Sequence, residues 1–330
     1  MPEFYKNYGP GVVVSTAINR FVYVTLNEKF DGKVSVRYSA HENVDKVFEL
    51  RHALIREALL DYGVKDGVEV VIASEVPARG SGLGASSAML VALCLALEHY
   101  QGRGRGVSAD GIERSQLAER AARIEIEKAG SPIGKQDHYA AAWGGLKKYL
   151  FRQNSDGCAE VTPFDEEDFI KEIEGQSMLF YLNMEHDYKD NHVISWILKD
   201  QLAQVHEKRK SHELQRDNAV NLWENMRYEV PERFIDHVNE NWRIKRGLHE
   251  KITNTVIDRC VQRAYAAGAT AAKVCGAGGG GFIYFMVPPA MQGTVREALS
   301  DLSELRFGFC KTGAELVFED KRHYVVAPTA

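Results

Sequence analysis

Between Val76 and Met89 the chain reads Pro77-Ala78-Arg79-Gly80-Ser81-Gly82-Leu83-Gly84-Ala85-Ser86-Ser87-Ala88. An alternating segment, Val68 to Val76, leads in, and an apolar one, Ser86 to Tyr100, leads out. The alternation predicts a strand that Pro77 ends, and the apolar run predicts a helix buried nearly all round. Alternate glycines let the backbone come close to a ligand, while the helix turns unpaired N–H groups and the positive end of its dipole toward the loop. A strand, glycine loop and helix in this order favour a di- or triphosphate. Ser86 and Ser87 add hydroxyls at the first turn, where one can ligate a metal.

Other phosphate motifs fit less well. A Walker A loop needs a lysine before its Ser or Thr, and none is present. Gly80-x-Gly82-x-x-Ala85 matches a dinucleotide loop in form, but no acidic residue stands about 20 residues further on at a second strand. The bland alternative is a helix cap on a flexible turn. A second glycine run, Gly276-Ala277-Gly278-Gly279-Gly280-Gly281, precedes a strand rather than a helix. It reads either as a loose hairpin connection or as backbone pressed against a ligand or against the first loop.

Between the two runs lies Arg123-Ile124-Glu125-Ile126-Glu127-Lys128-Ala129-Gly130-Ser131-Pro132-Ile133-Gly134-Lys135-Gln136-Asp137-His138. Glu125 is expected near a helix end and Asp137 in the turn beyond. Phosphoryl transfer needs a cation on the phosphates and a group that orients or deprotonates the attacking hydroxyl. One carboxylate could serve each need, with Lys135 and Arg123 offsetting phosphate charge. Spacing alone does not separate these glutamates from solvated helix residues. His138 reads as structural.

The rest of the chain bounds these readings. It has 330 residues, of which 45% are hydrophobic and 26% charged, enough for two packed domains. A net charge of -5 gives no case for a nucleic-acid footprint. The five cysteines form no CxxC pair, which fits a reducing cytoplasm. No signal peptide is evident, and the longest apolar stretch, Ala88 to Leu97, is too short to cross a membrane. Short β-rich runs near Val12 to Val14, Phe21 to Leu26 and Lys33 to Tyr38 suggest an antiparallel sheet. Helices are expected over Lys46 to Tyr62, Ser115 to Ala129, Pro231 to Arg246, His249 to Ala267 and Met291 to Leu302. A charged helical region spans His192 to Asn225, with Trp196 and Trp223 as core anchors. Strands are expected over Met178 to Asn183, Phe282 to Val287, Leu305 to Cys310 and Ala314 to Phe318. The Asn154-Ser155-Asp156-Gly157 turn and the acidic stretch after it mark a boundary, giving domains of 1–160 and 161–330.

PARGSGLGASSA, GKQDHYAAAWGG and KVCGAGGGGF resemble, in order and spacing, three motifs of the GHMP kinases (galactokinase, homoserine kinase, mevalonate kinase, phosphomevalonate kinase). YGPGVVVSTAINRFVYV, GKQDHYAAAWGGL and WRIKRGLHEKITN resemble segments of the bacterial D-glycero-D-manno-heptose 7-phosphate kinases within that family. The resemblance implies an α+β fold with a ribosomal S5-like N-terminal half and a ferredoxin-like C-terminal half. It implies a kinase for the anomeric hydroxyl of a sugar phosphate, with ATP and Mg²⁺. Asp137 would be the catalytic carboxylate. Arg79, Gly80, Ser81, Gly82, Leu83, Gly84, Ala85, Ser86 and Ser87 would wrap the nucleotide, supported by Gly276, Gly278 and Gly279. Glu125, five residues before Gly130, would hold the metal with Ser86 or Ser87. The partner would be a small-molecule sugar phosphate, with no nucleic acid or membrane, and a homodimer is left open.

The sequence departs from the family pattern twice. Such kinases usually begin with a strand like APLRISFGGGGTD, and Met1-Pro2-Glu3-Phe4 falls about where it would have ended. The expectation is therefore an N-terminally shortened chain, with unpaired backbone around Val12 to Thr16 and weakened sugar binding. Asn183-Met184-Glu185-His186-Asp187 also lacks the Thr/Ser-Arg-Ser character expected there. Rival readings are a galactokinase-like enzyme for another sugar and a catalytically impaired sensor on the same fold.

Overall fold

The computed structural model describes residues 2–77, 80–101, 111–153, 158–182, 192–228 and 231–319. The N-terminal half runs α1 (Pro2–Tyr8), β1 (Gly11–Thr16), β2 (Val22–Glu28), β3 (Val34–Arg37), β4 (His41–Val44), α2 (Ala53–Asp61), β5 (Val68–Ser74), α3 (Ala85–Tyr100), α4 (Gly111–Arg123), α5 (Gln136–Trp143), β6 (Leu146–Phe151) and β7 (Glu160–Pro163). Then follow α6 (Glu167–Gln176), β8 (Ser177–Leu182), α7 (His192–Ala203), α8 (Arg209–Met226), α9 (Pro231–Arg246), α10 (Thr255–Ala266), β9 (Ala271–Val274), β10 (Gly281–Met286), α11 (Gln292–Ala298) and β11 (Ser303–Leu305).

The strands form three sheets. One has the order β1-β6-β7 and is antiparallel, with β1 at its edge. Another has the order β2-β5-β3-β4, in which only the β3–β5 pairing is parallel. The third has the order β11-β8-β10-β9 and is antiparallel throughout. Strand β8, helices, the β9–β10 hairpin, α11 and β11 follow one another along the chain, and with the sheet order β11-β8-β10-β9 they make the β-α-β-β-α-β arrangement of a ferredoxin-like fold. The expected α+β class and ferredoxin-like C-terminal half both hold.

Helix α3 is the core of the N-terminal half, as its all-round apolarity predicts: Leu90, Leu93 and Leu97 are fully buried against Val34, Val36, Ile55 and Leu59. In the C-terminal half Phe180, Ile283 and Phe285 pack against Ile257 and Ala264 of α10. A third cluster, in which Leu146 and Phe164 meet Trp223 and Met286, ties the halves together. Among the described residues no helix is long and apolar enough to cross a membrane.

Several expected elements are altered. The helix expected from Lys46 begins only at Ala53, after a 3-10 turn at Val47–Glu49, because Leu50 and His52 are extended and Glu42 takes the N–H groups of Arg51 and His52. The helix expected from His249 is split in the same way into a 3-10 turn, Glu250–Ile252, and α10, which Asn254 caps. The expected Leu305 to Cys310 strand shortens to β11 and one bridge from Phe309 to Ile18, and 314–318 form no strand. Trp223 is buried, but Trp196 is 43% exposed, its ring edge-on to His249 and under the Lys251 ammonium, so only one of the two is a core anchor. The Asn154 to Gly157 turn and the Asn183 to Asp187 segment lie outside the described residues.

Candidate active site

The two glycine runs meet. Gly82 takes φ +75° and Gly276 φ +59°, conformations that L side chains rarely adopt. A Cβ added to Gly82 would stand 2.8 Å from the Cys275 carbonyl carbon, and one on Gly276 would stand 2.5 Å from the Gly82 Cα. The Phe282 N–H donates to the Ser81 carbonyl at 3.0 Å, fastening the start of β10 to the first loop. The second run is thus backbone pressed against the first loop, one of the two alternatives open from sequence. Gly278 and Gly279 face Ile252, whose carbonyl accepts from the Gly279 N–H at 2.8 Å.

The first loop ends at Gly84, in the left-handed region at the N-terminus of α3. Asp137 does not lie in a turn, as expected, but in the first turn of α5, and its side chain covers Gly84: a Cβ there would stand 3.1 Å from the Asp137 Cβ. The Asp137 carboxyl is therefore held at the mouth of the first glycine loop. Burial raises its pKa above the ordinary carboxylate value.

Glu125 sits behind this point. Its helix does not run evenly to Ala129, since α4 passes into a π-helical turn, Ile124–Lys128, that re-aims the side chain. Arg123 and Lys128 at the two ends of the turn pair with the buried Asp61 carboxylate at 2.9 and 2.5 Å, and Arg120 joins them at 2.8 Å. Glu125 is 3% exposed. Its Oε1 accepts from Ser86 Oγ at 3.1 Å, and its Oε2 accepts from Ser87 Oγ at 3.0 Å and His138 Nε2 at 2.8 Å. Among the described residues the buried His138 Nδ1 has no partner. The carboxylate can only accept, so Nε2 carries the proton. Ser87 is buried, whereas Ser86 lines the central cavity. A carboxylate and a hydroxyl oxygen 3.1 Å apart are hard donors that fit Mg²⁺, which takes few protein ligands when it rides on phosphates.

The cavity has a volume of about 1900 Å³ and is walled by both halves. Gly80 to Ser86, Asp137 and β1 come from one, and Lys245, Lys273, Gly276 and Tyr284 from the other. The expected cations lie elsewhere in their bonding: Arg123 is drawn to Asp61, and Lys135, though on the cavity wall, is held by Glu119 at 2.5 Å. The lysine near Asp137 is instead Lys245, whose Nζ donates to the carbonyls of Val274 at 3.0 Å and Gly276 at 2.5 Å. Burial, then the neighbouring Lys273, push its pKa down to about 7. A sequence signal existed, because Phe234, Val238, Asn241 and Lys245 recur at helical spacing and place a charge on the inward stripe of α9. Arg79 lies outside the described residues.

Residues 46–145 match the family model described as the GHMP kinases N terminal domain, and residues 224–304 match GHMP kinases C terminal. A D-glycero-alpha-D-manno-heptose 7-phosphate kinase of Campylobacter jejuni is 28% identical over 90% of this chain and 87% of its own length. A mevalonate kinase of Methanothermobacter thermautotrophicus is 26% identical over 91% of each. Among solved structures, a D-glycero-D-manno-heptose 1-phosphate kinase of Bacteroides thetaiotaomicron superposes with a TM-score of 0.71 at 22% identity, covering 94% of this chain and 90% of that one. The two matched stretches carry between them both glycine runs, Glu125, Asp137 and Lys245, and the backbone follows that of solved kinases of this fold, so the chain belongs to the GHMP kinases.

Proposed function

We propose that the chain transfers the terminal phosphoryl group of ATP to the anomeric hydroxyl of D-glycero-D-manno-heptose 7-phosphate, giving the 1,7-bisphosphate. The observation that supports the transfer is the Asp137 side chain laid against Gly84 where α3 begins, a carboxyl group beside the loop that would cradle the phosphates. The Campylobacter jejuni relative supports the choice of acceptor.

In this reading the N–H groups from Gly80 to Ser87 take the nucleotide phosphates, and Gly276, Gly278 and Gly279 hold that loop in shape. Ser86 Oγ and Glu125 would hold Mg²⁺, which supplies charge neutralisation on the phosphates; Ser86 is preferred to Ser87 because it reaches the cavity. Asp137 orients the acceptor hydroxyl and takes its proton. As that oxygen bonds to the γ-phosphorus, the bond from phosphorus to the β–γ bridging oxygen breaks and ADP leaves. A carboxyl whose proton affinity burial has raised is a better acceptor than an ordinary aspartate, and an anomeric hydroxyl asks little of it. The two domains would divide near residue 160, as 1–160 and 161–330, each supplying one wall of the cavity. Soluble substrates of this kind make the cytoplasm the proposed compartment.

The test is a panel of heptose 7-phosphate, galactose and mevalonate, each with ATP and Mg²⁺, followed by ADP release and phosphorus NMR. ADP formed with a new anomeric phosphate on the heptose is the expected result. Transfer to galactose or mevalonate instead would reassign the acceptor, and ATP binding without transfer to any would leave the sensor reading.

A further inference from the structure

Lys273 is unused by the chemistry described so far. It lies on β9 directly across from Tyr284 of β10, whose hydroxyl shares a hydrogen bond with Ser177 Oγ at 2.8 Å. Both side chains line the central cavity. Among the described residues the Lys273 ammonium has no hydrogen-bond or ion-pair partner. Its surroundings are nevertheless interior, and burial lowers its pKa. Lys245 is its neighbour and spends donors on the Val274 and Gly276 carbonyls, which are neutral. Two lysines thus face one cavity, and among the described residues no carboxylate is bonded to either. Cations set inside a protein without counter-charge are costly unless a ligand supplies it.

Of the two, Lys245 stays by the loop contact, and Lys273 lies further back on β9. The glycine contact is at Cys275 and Gly276, and Lys273 stands on β9 two and three residues back along the chain. Lys245 Nζ reaches both the Gly276 carbonyl, at the contact with the loop that Asp137 covers, and the Val274 carbonyl, next to Lys273, so it stands between the two. The order across the cavity is therefore Asp137, Lys245, Lys273. A hydroxyl at Asp137 and an anionic group at Lys273 would be two ends of one acceptor.

We infer that Lys273, with Lys245 beside it, forms the binding site for a phosphate monoester that the acceptor already carries, so that the enzyme selects phosphorylated over neutral sugars. The inference deepens the proposed function and rests on it for the identity of the acceptor, but not for the anion site itself.

Two measurements separate the two. In the first, KM values for heptose 7-phosphate and ATP are compared in the native chain, Lys273→Met and Lys273→Arg. Loss of a charge-assisted contact raises KM for the phosphorylated acceptor by roughly 10- to 100-fold in Lys273→Met. KM for ATP stays within about twofold, and Lys273→Arg recovers most of the loss. A rise in KM for ATP alone, or in neither, would overturn the site. In the second, the native chain without nucleotide is treated with an acylating ester, with and without inorganic phosphate, and Lys273 labelling is read by mass spectrometry. Protection by phosphate supports the anion site even if heptose 7-phosphate proves not to be a substrate. Labelling unchanged by millimolar phosphate would reject it whatever the acceptor.

Discussion

Glu125 and Asp137 are twelve positions apart and serve one site in the proposed mechanism, yet they are held in opposite ways. Glu125 is buried and accepts hydrogen bonds from Ser86, Ser87 and His138, so its charge is met within the protein. Asp137 opens to the cavity and lies beside glycine backbone, and burial raises its proton affinity. The first arrangement suits a group that must stay still. The second suits one that must take a proton during the reaction. A fold can thus give two carboxylates different work through their neighbours alone.

Asp137→Asn gives the largest expected effect. Loss of the proton acceptor should cut kcat by roughly 10²- to 10⁴-fold while ATP affinity, measured by calorimetry, stays the same. The same change should raise the melting temperature at neutral pH, because a buried charge is replaced by a neutral amide. The pH dependence follows from the raised folded-state pKa. The cost of ionised Asp137 is absent below the unfolded pKa, near 4, and complete once pH has passed the folded value. The stability gap between variant and native chain should therefore close on acidification. A melting temperature that falls at pH 7 would show that Asp137 is as well satisfied as Glu125.

Asp61 offers the reverse case. Its 4% exposed carboxylate accepts from Arg120, Arg123 and Lys128, and although burial pushes its pKa up, the bonds from Lys128 and Arg120 outweigh that and leave it lowered. Asp61→Asn should cost roughly 2–3 kcal/mol, less than a fully buried pair because the three cations reach solvent. Here the contribution is present above the unfolded pKa and lost as pH falls through the lowered folded value, so native chain and variant should converge in acid from the opposite side to Asp137→Asn. Because Arg123 and Lys128 bracket the turn that aims Glu125, the variant should also need more Mg²⁺ at unchanged KM for the acceptor. Urea melts at several pH values, with a magnesium titration of activity, check both.

Glu125→Gln should come next. The amide oxygen can still accept, but its NH₂ would face donors that now lack a partner, a mismatch worth about 1–3 kcal/mol. The melting temperature should fall, in contrast with Asp137→Asn, and half-maximal Mg²⁺ should rise by roughly tenfold or more. Equal stability effects from the two substitutions would erase the contrast between the carboxylates.

Much of this was legible in the residues. Alternation, Pro77 and the glycines marked the turn from β5 into α3, and three motifs in order pointed to the family, because local patterns carry such elements. What the pattern could not carry were meetings between distant segments. Nothing local to Gly82 indicates that Cys275 closes over it, so the Gly82→Val change that would seem to crowd a phosphate would first collide with backbone. Arg123 and Lys135 looked available for phosphate only because Asp61 and Glu119, their partners, come from other helical turns. Lys245 was hidden because a lysine on an apolar stripe means little until Gly276 and Asp137 are seen beside it.

His138 gives the smallest and most discriminating effect. It is fully buried, donates through Nε2 to Glu125 and leaves Nδ1 without a partner. If its part is to fix Glu125, a side chain that still donates should serve. His138→Gln keeps an N–H for the carboxylate and exchanges the unpartnered ring nitrogen for an amide oxygen, so stability should change by no more than about 1 kcal/mol. His138→Leu removes the donor at similar volume and leaves Oε2 with Ser87 alone. It should raise half-maximal Mg²⁺ a few-fold, since outer contacts of this kind commonly orient a metal-binding carboxylate. Neither variant should change KM for the acceptor, whose proposed contacts are Asp137 and Lys273. A histidine that merely fills space would give the same magnesium dependence with Leu as with Gln, and one that takes part in proton transfer would lose kcat in both. Magnesium titrations of kcat for the two variants separate these outcomes, and only a split between Gln and Leu confined to the metal keeps Glu125 and Asp137 in the separate roles their surroundings give them.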